Sequence, residues 1–238
     1  MCTVITLQRP GHAWPLLLAA NRDERLDRPW DPPAAYWNER PGVIAGRDRT
    51  AGGTWMGMNP AGVVAAVLNR PGSLGPAAGK LSRGMLPLMA LEHASALEAA
   101  QAVMTVRGAS YRSFNLVLAD RSGVWFVRND EDGRLDLVTL EPGLHMVTSH
   151  DPDDESSPRV ARHLPRFRAA AAPMPPDWGA WPVLLADGAG PRAASLSVPG
   201  EAGFGTVCGS LVGVPAQGRA TWLFAAGRTG NVPFSPIT

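Results

Sequence analysis

Four pairs of short apolar runs, each pair separated by turn-forming residues, constrain the fold of this chain more than any other feature. Apolar runs on either side of Gly, Pro, Asn or Asp predict β-hairpins. Sequential hairpins build antiparallel sheets, and strands that are apolar on both faces have to be covered on both sides. The predicted hairpins join Val4–Leu7 to Leu16–Ala20, Thr54–Met58 to Val63–Leu68, Phe114–Ala119 to Val124–Val127, and Val207–Val214 to Thr221–Ala225.

Helical patterns occupy the stretches between the predicted hairpins. Apolar residues at three- and four-residue spacing across Leu86–Leu97 predict one helix. Ser157 and Pro158 have the chemistry of an N-cap and a first helical position, and Pro165 is expected to kink or split the helix that follows. A further short helix is predicted within residues 178–186.

The order of these elements predicts an α+β fold in one domain, residues 1–238, with two antiparallel sheets and helices outside them. The net charge of +1 gives no strong field for nucleic acid or an acidic membrane surface. The longest apolar run, Trp14–Ala20, is too short to span a bilayer and lacks the flanks of a signal peptide. Cys2 and Cys208 are too few for a disulfide framework, so a cytoplasmic location is expected.

The first predicted hairpin brings a cysteine towards a charged cluster. A bend centred on Pro10 and Gly11 would pair residues whose numbers sum to about 21, so that Cys2 faces the end of Leu16–Ala20. The cluster Asn21–Glu24 would then begin where the second strand stops. We therefore expect Arg22 and Asp23 to lie beside Cys2.

Removal of Met1 would make Cys2 the N-terminal residue, with a thiol and an α-amine on the same residue. An α-amine with a pKa of about 7.7–8.0 is a suitable base near neutral pH. The thiolate is the nucleophile, and a cation such as Arg22 is expected to lower the thiol pKa. Asp23 would orient the ammonium or Arg22. Alternatively, Met1 is retained and Cys2 is a small apolar residue that begins an edge strand.

Asn69 ends the apolar run Val63–Leu68, as Asn21 ends the earlier one. Acyl transfer through a thiol needs hydrogen-bond donors for the developing oxyanion, and an asparagine amide can supply one. Alternatively, Asn69 simply terminates a strand. Gly52 and Gly53 predict a close approach of two backbones in this second hairpin, opposite Asn69.

Several motifs together resemble the Asn-Arg-Asp-Glu family, also called the transport and Golgi organisation family. They occur in order from Met1-Cys2 nearly to Pro233-Phe234, so the resemblance covers the whole chain. The motifs are Leu18-Ala19-Ala20-Asn21-Arg22-Asp23-Glu24, Arg28-Pro29, Gly52-Gly53-Thr54-Trp55-Met56-Gly57, Asn69, Ser82-Arg83-Gly84, Phe114-Asn115-Leu116 and Gly203-Phe204-Gly205-Thr206.

A more distant resemblance links the chain to the choloylglycine-hydrolase group of N-terminal-nucleophile hydrolases. It rests on Met1-Cys2-Thr3 and on the run from Asn59-Pro60-Ala61-Gly62 to Leu68-Asn69. The resemblance implies a four-layer αββα sandwich of two antiparallel sheets flanked by helices. It also implies an exposed N-terminal Cys2, with Arg22 and Asp23 near it and Asn69 as an oxyanion donor.

The chain departs from these families at two places. Ser149-His150-Asp151 follows the predicted strand Leu144–Thr148 where the hydrolases and many family members have an asparagine. Val207-Cys208 follows Gly205-Thr206 where family members often have an arginine. His150 could donate a hydrogen bond in place of the missing amide, or it lies on a solvent-facing loop. Cys208 is expected in the core.

Two functions follow as expectations. The first is a cysteine amidohydrolase that cleaves a small linear amide or acylated amine, with catalytic residues Cys2, Arg22, Asp23 and Asn69 and with Asn21, Trp55 and His150 binding the substrate. The second, implied by the family resemblance, is a non-catalytic carrier of haem or of an acyl or lipid ligand. No cofactor or metal is required by the first function, no nucleic-acid partner is expected, and the oligomeric state is left open.

Overall fold

A computed structural model describes residues 2–130 and 132–237 of the chain. These residues fold into two compact units. The first unit comprises residues 1–28 and 142–238, and the second comprises residues 29–141. The predicted single domain over residues 1–238 stays a prediction.

The first unit is a six-stranded antiparallel sheet with two helices. Its strands, in the order in which they lie side by side, are β10, β1, β2, β11, β12 and β13. The elements are β1 (Thr3–Gln8), β2 (Leu16–Arg25), β10 (Gly143–Val147), α3 (Pro158–Ala169), α4 (Trp181–Leu185), β11 (Phe204–Val214), β12 (Thr221–Ala225) and β13 (Ser235–Pro236).

The second unit is a seven-stranded antiparallel sheet with two helices, and its strands lie side by side in chain order. The elements are β3 (Trp30–Ala34), β4 (Ile44–Asp48), β5 (Met56–Met58), β6 (Val64–Asn69), α1 (Met85–Ala90), α2 (Ala96–Val103), β7 (Phe114–Asp120), β8 (Gly123–Asn129) and β9 (Leu135–Leu140). All four predicted hairpins are confirmed, as β1–β2, β5–β6, β7–β8 and β11–β12.

The helices of each unit pack on the sheet of the same unit. In the first unit, residues of α3 and α4 such as Phe167 and Trp181 join Ile5, Leu17 and Leu211 of the sheet in one buried cluster. In the second unit, residues of α1 and α2 pack in the same way on β6, β7 and β8. Burying apolar area of this kind supplies about 25 cal/mol per Å².

The register of the first hairpin differs from the predicted one. Thr3 pairs with Asn21 and Gln8 with Leu16, so facing residues sum to 24 rather than to about 21. The connection is longer than a tight turn, and the main-chain N–H of Arg9 donates to the carbonyl of Pro15 at 2.8 Å. Pro15 has no N–H to donate to a ladder, which explains why β2 begins only after it.

β2 also continues through the charged cluster instead of stopping before it. Residues 21–25 pair with the first part of β11, where a bulge lies between Thr206 and Cys208. Pairing with β11 gives hydrogen-bond partners to backbone groups of these polar residues, which sequence patterning alone assigns to a loop. The cluster is therefore part of the sheet.

The helix predicted across Leu86–Leu97 is two helices. Asn59 donates its side-chain amide to the carbonyls of Leu91 and His93, which lie between α1 and α2. Ser95 then caps α2 by accepting from the N–H of Glu98 at 3.2 Å. Because a distant side chain binds these carbonyls, the helix ends after Ala90 in spite of the continuous apolar spacing.

Two proline-containing segments form regular structure. α3 runs without interruption through Pro165, so the expected split does not occur. The stretch from Arg25 to Pro41, which has no sequence periodicity, contains β3 with two prolines inside it. β3 is an edge strand of its sheet, and edge positions tolerate proline because one side of the strand needs no donors.

Candidate active site

Three residues lie in a row across one end of the sheet of the first unit. Arg22 in the middle strand β2 pairs with Cys208 of β11 on one side. On the other side β1 begins at Thr3, which pairs with Asn21, so Cys2 directly precedes the strand next to Arg22. Side chains alternate between the two faces of a strand, and this places Cys2, Arg22 and Cys208 on the same face.

The thiol of Cys2 is partly buried and donates to the main-chain carbonyl of Asp23, with Sγ and O 3.6 Å apart. Burial raises the pKa of this thiol, and Arg22 opposes that rise without overcoming it. Arg22 therefore lowers the pKa of the Cys2 thiol as expected, but burial raises it by more, and the net shift is upward. The low-dielectric surroundings disfavour the thiolate more than one partly neutralised guanidinium favours it.

Arg22 is a buried cation whose charge is shared with one carboxylate. Its side chain is 5% exposed, and Nη2 lies 3.3 Å from Oε2 of Glu24 on the same face of β2. The same carboxylate oxygen is 3.8 Å from Nε of Arg28. The positive potential beside Cys2 therefore comes from an arginine held in place by Glu24.

Asp23 contacts Cys2 through its main chain, while its carboxylate points to the helix-covered face of the sheet. There Oδ1 accepts from the Thr206 hydroxyl at 2.6 Å, and Oδ2 lies 3.0 Å from Nη1 of Arg159 in α3. Arg159 also donates to the hydroxyl of Thr3 at 2.9 Å. The carboxylate thus joins β2, β11 and α3, and it fixes the backbone that accepts from Cys2.

Sequence reasoning missed Arg159 and Thr206 in this network. Both side chains are buried, with Arg159 only 2% exposed. The available signal was weak, since an arginine in the first turn of a helix ordinarily reaches solvent. Cys208, which was expected in the core, is 1% exposed, and burial raises its pKa to about 12.

Asn21, a predicted substrate-binding residue, lies on the helix-covered face with Asp23. Its amide is buried and donates to the carbonyls of Leu185 and Leu196 at 2.9 and 3.0 Å. The side chain therefore connects β2 to the end of α4. A contact between Asn21 and substrate stays a prediction.

Ser149 and His150 follow β10, after Thr148, at the end of the sheet where β1 begins, because β10 and β1 are antiparallel. The Ser149 hydroxyl and His150 Nδ1 are 3.3 Å apart. Ser149 is 4% exposed and His150 is half-buried, so this segment is not a solvent-facing loop along its whole length. The structure thus brings Cys2, Arg22, Cys208 and the Ser149–His150 segment to one end of the first sheet.

Two further predicted site residues belong to the second unit. Asn69 is the last residue of β6, is half-buried, and its side-chain amide has no hydrogen-bond partner among residues 2–130 and 132–237. The ring of Trp55 packs edge-on against Trp30, with centroids 5.8 Å apart, and it covers Gly46 so closely that a Cβ there would lie 2.2 Å from it. The predicted roles of Asn69 and Trp55 stay predictions.

Within the part of the chain that the structure describes, no cluster of three or more His, Cys, Asp or Glu side chains is arranged to hold a metal ion. In the same residues no helix is long and apolar enough to cross a membrane. Met1 lies outside the described residues, so the predicted removal of this residue is a matter for experiment.

Solved structures of other proteins share this fold. An N-acylethanolamine-hydrolyzing acid amidase ortholog from Caenorhabditis elegans superposes with a TM-score of 0.54 and 12% identity, over 88% of this chain and 92% of that chain. Two variants of a conjugated bile acid hydrolase from Clostridium perfringens give TM-scores of 0.55 and 0.56 at 12% and 13% identity, over 100% and 99% of this chain and 92% of each of theirs. The α+β fold with two antiparallel sheets is that of the N-terminal-nucleophile hydrolases, as the sequence predicted.

The family follows from the sequence itself. Residues 1–173 match the family described as Transport and Golgi organisation 2, and the chain belongs to that family. Transport and Golgi organization protein 2 homologs from Bos taurus and Homo sapiens are 33% and 30% identical over 146 residues, which are 58% of this chain and 51% of each relative. The match thus spans about half the length of these curated relatives.

Proposed function

We propose that the chain is a cysteine amidohydrolase that cleaves a small linear amide or acylated amine. The observation that carries the proposal is the position of Cys2, partly buried at the start of β1 and beside the buried guanidinium of Arg22. The names of the solved neighbours, which are those of hydrolases of N-acylethanolamines and of conjugated bile acids, support the same class of substrate.

The reaction begins with the thiol proton of Cys2. Because burial keeps this thiol protonated at neutral pH, a base has to remove the proton, and the α-amine exposed by loss of Met1 is the base. The thiolate attacks the amide carbonyl carbon, and Arg22 stabilises negative charge at sulfur. The carbon–nitrogen bond then breaks as the ammonium returns its proton to the leaving amine, and a thioester remains.

Water completes the cycle by attacking the thioester, with the amine of Cys2 again accepting a proton. The products are a carboxylic acid and the free thiol. Asp23 acts as a positioning residue, because Thr206 and Arg159 hold its carboxylate while its carbonyl accepts from Cys2. Asn69 stays the predicted oxyanion donor, and its replacement by alanine is expected to lower kcat about 10²–10³-fold.

The proposal is tested by intact mass and turnover on the same preparation. We expect a protein that has lost Met1, that releases amine from N-acyl amides of different chain length, and that accumulates an acyl adduct on Cys2 when quenched with acid. Cys2→Ala is expected to remove both the adduct and turnover while the circular dichroism spectrum stays native. A protein that retains Met1 and still turns over the amides would overturn the proposed base.

The alternative function, reversible carriage of haem or a lipid-like ligand, is favoured by one feature of the site. The half-buried imidazole of His150 lies at the same end of the sheet as Cys2, where it could serve as an axial ligand. Titration of the purified protein with haem separates the two functions. Saturable absorbance changes that His150→Ala abolishes would support the carrier, and the absence of a saturable change would reject it.

A further inference from the structure

The second unit contains a cavity that the proposed reaction does not use. It has a volume of about 330 Å³ and is formed by the loop after β6 and by the segment that leads into β7. Its described walls include Ser73 and Lys80 on the first side, and Tyr111, Arg112 and Ser113 on the second. This volume lies at the lower end of the range of about 300–1,000 Å³ typical of small-molecule sites.

The cavity carries two positive charges that carboxylates do not neutralise. Nζ of Lys80 donates to the carbonyl of Ala109 at 2.6 Å. The guanidinium of Arg112 donates to loop carbonyls, including that of Leu74 at 2.7 Å. Neither cation forms an ion pair with a carboxylate among residues 2–130 and 132–237, and the described wall includes no Asp or Glu. The electrostatic potential inside the cavity is therefore positive.

The wall is also held in place before any ligand binds. The Ser73 hydroxyl donates to the carbonyl of Arg70 at 2.8 Å and accepts from Nη1 of Arg83 at 2.9 Å. Arg83 in turn donates to the carbonyl of Ser113 at 2.9 Å. Groups that are already ordered lose little conformational entropy when a ligand arrives, so this part of the wall is preorganised for binding.

Two hydroxyl groups add neutral donors to the wall. Burial raises the pKa of the Tyr111 phenol, so this hydroxyl keeps its proton. Ser113 is 6% exposed, and its hydroxyl forms no hydrogen bond with another residue in the described part of the chain. Lys80, Arg112 and these two hydroxyls together provide a set of donors without an acceptor of formal negative charge.

We propose that this cavity binds the phosphate group of a small phosphorylated molecule. A phosphate monoester carries close to two negative charges at neutral pH and three terminal oxygens, which matches two cations and two hydroxyl donors. A carboxylate carries one negative charge and two oxygens, and it would leave one cation of the cavity without a counter-charge. The proposal rests on the residues of this cavity alone and does not require the Cys2 reaction.

Equilibrium dialysis with radiolabelled inorganic phosphate tests this site in the full-length protein. Dialysis is preferred to thermal unfolding because phosphate stabilises many proteins through exclusion from their surface. We expect saturable binding of one phosphate per chain, weakened about tenfold in Lys80→Gln, because a charged hydrogen-bonding partner is lost. Arg49→Gln removes one exposed cation of the same unit at another place, and it should leave the affinity unchanged.

A variant of Ser113 and a second anion, acetate, complete the test. Ser113→Ala removes a hydroxyl with no described partner, so this variant should fold normally and bind phosphate more weakly. In the wild-type protein, acetate should bind much more weakly than phosphate. The proposal is overturned if wild-type protein shows no saturable binding, if Lys80→Gln and Arg49→Gln have equal effects, or if acetate competes with phosphate on equal terms.

Discussion

The two cysteines differ in how completely they are separated from solvent. Cys2 is partly buried just before β1, whereas Cys208 in β11 is 1% exposed. Burial raises the pKa of both thiols, that of Cys208 to about 12. A reagent has to reach the sulfur before it can react, so the greater exposure of Cys2 favours reaction there.

We therefore predict that iodoacetamide alkylates Cys2 in the native protein and leaves Cys208 unmodified until the protein unfolds. The alkylation rate of Cys2 should still be rising above pH 8.5, the ordinary pKa of a cysteine, because the folded thiol ionises at higher pH. Peptide mass spectrometry across a pH series measures both rates. A rate for Cys2 that levels off below pH 8 would contradict the raised pKa.

Arg159 and Asp23 form a buried ion pair whose side chains are 2% and 0% exposed. The pair joins α3 to β2, and Arg159 also reaches Thr3 of β1. Removing one partner of such a pair leaves the other charge in a low-dielectric interior.

Arg159→Leu is expected to lower the free energy of unfolding by about 3–5 kcal/mol. Arg162→Leu, one turn further along α3, removes an arginine that is 34% exposed and 3.6 Å from Asp187, and it should cost no more than about 1 kcal/mol. Urea denaturation of the two variants measures the difference. Equal losses would mean that the buried pair contributes no more than the surface pair.

At the scale of elements, the backbone of the loop before β5 lies close to the backbone of the segment before α1. The N–H of Thr54 donates to the carbonyl of Gly84 at 2.9 Å. A Cβ on Gly53 would lie 2.5 Å from the main-chain carbon of Gly84 and 2.6 Å from its oxygen. The predicted close approach is thus confirmed for Gly53 but not for Gly52, where a Cβ would meet nothing within 4 Å, and its partner is the segment before α1 and not Asn69.

Gly53→Ala should therefore destabilise the protein by about 3 kcal/mol, because backbone atoms of two segments have to move apart. Gly200→Ala is a suitable control, since its Cβ would meet only the flexible end of Leu26 at 3.0 Å, and its cost should stay within about 0.5 kcal/mol. Thermal unfolding compares the two. A cost for Gly53→Ala no larger than that of the control would show that the loops separate freely.

Elements defined by local chemistry were predicted well, and those defined by distant partners were not. The hairpin β7–β8 follows from two apolar runs and the turn residues between them. The boundary between α1 and α2 depends on Asn59, which is distant in sequence and binds the carbonyls of Leu91 and His93. The sequence of Leu86–Leu97 alone cannot predict that interaction, because Asn59 lies outside it.

At the scale of the whole molecule, buried and paired ionisable groups link stability to pH. Burial lowers the pKa of His163. Its Nε2 is 2.7 Å from the carbonyl of Ala194, and its Nδ1 is 3.2 Å from Nη1 of Arg166, so the neutral imidazole fits and a second proton would face a guanidinium. For Asp187, burial opposes ionisation, but the hydrogen bonds from Arg166 and from the N–H of Ala189, together with the charges of Arg166 and Arg162, outweigh it and lower the pKa.

The direction in which stability changes with pH follows from the difference in proton binding between the folded and the unfolded protein. The unfolded protein binds a proton at His163 near pH 6.5, whereas the folded protein binds it only at lower pH, so stability should fall as pH drops from about 6.5 towards the folded pKa. His163→Gln should show a shallower loss between pH 7 and pH 5, by at most about 1.4 kcal/mol per pH unit. Urea denaturation across this range measures it, and parallel curves for both proteins would contradict the prediction.

A second, more acidic loss of stability is expected from Asp187, whose carboxylate is protonated in the unfolded chain near pH 3.9 and in the folded chain only at lower pH. The contribution of the Asp187 carboxylate to folding stability is fully present above about pH 3.9. It disappears as the pH falls through the pKa of this group in the folded protein.

The sequence by itself determined the hairpins, the α+β class and the candidate cysteine, because side-chain periodicity, turn residues and short motifs are local properties of the chain. Only the tertiary structure decided the register of β1 against β2, the continuation of β2 through Asn21–Arg25, and the face to which each residue of that cluster points. Pairing with β11 extends the strand, and alternation then sends Asp23 to Arg159 and Arg22 to the face of Cys2. The last two outcomes depend on partners more than a hundred residues away, which no local pattern contains.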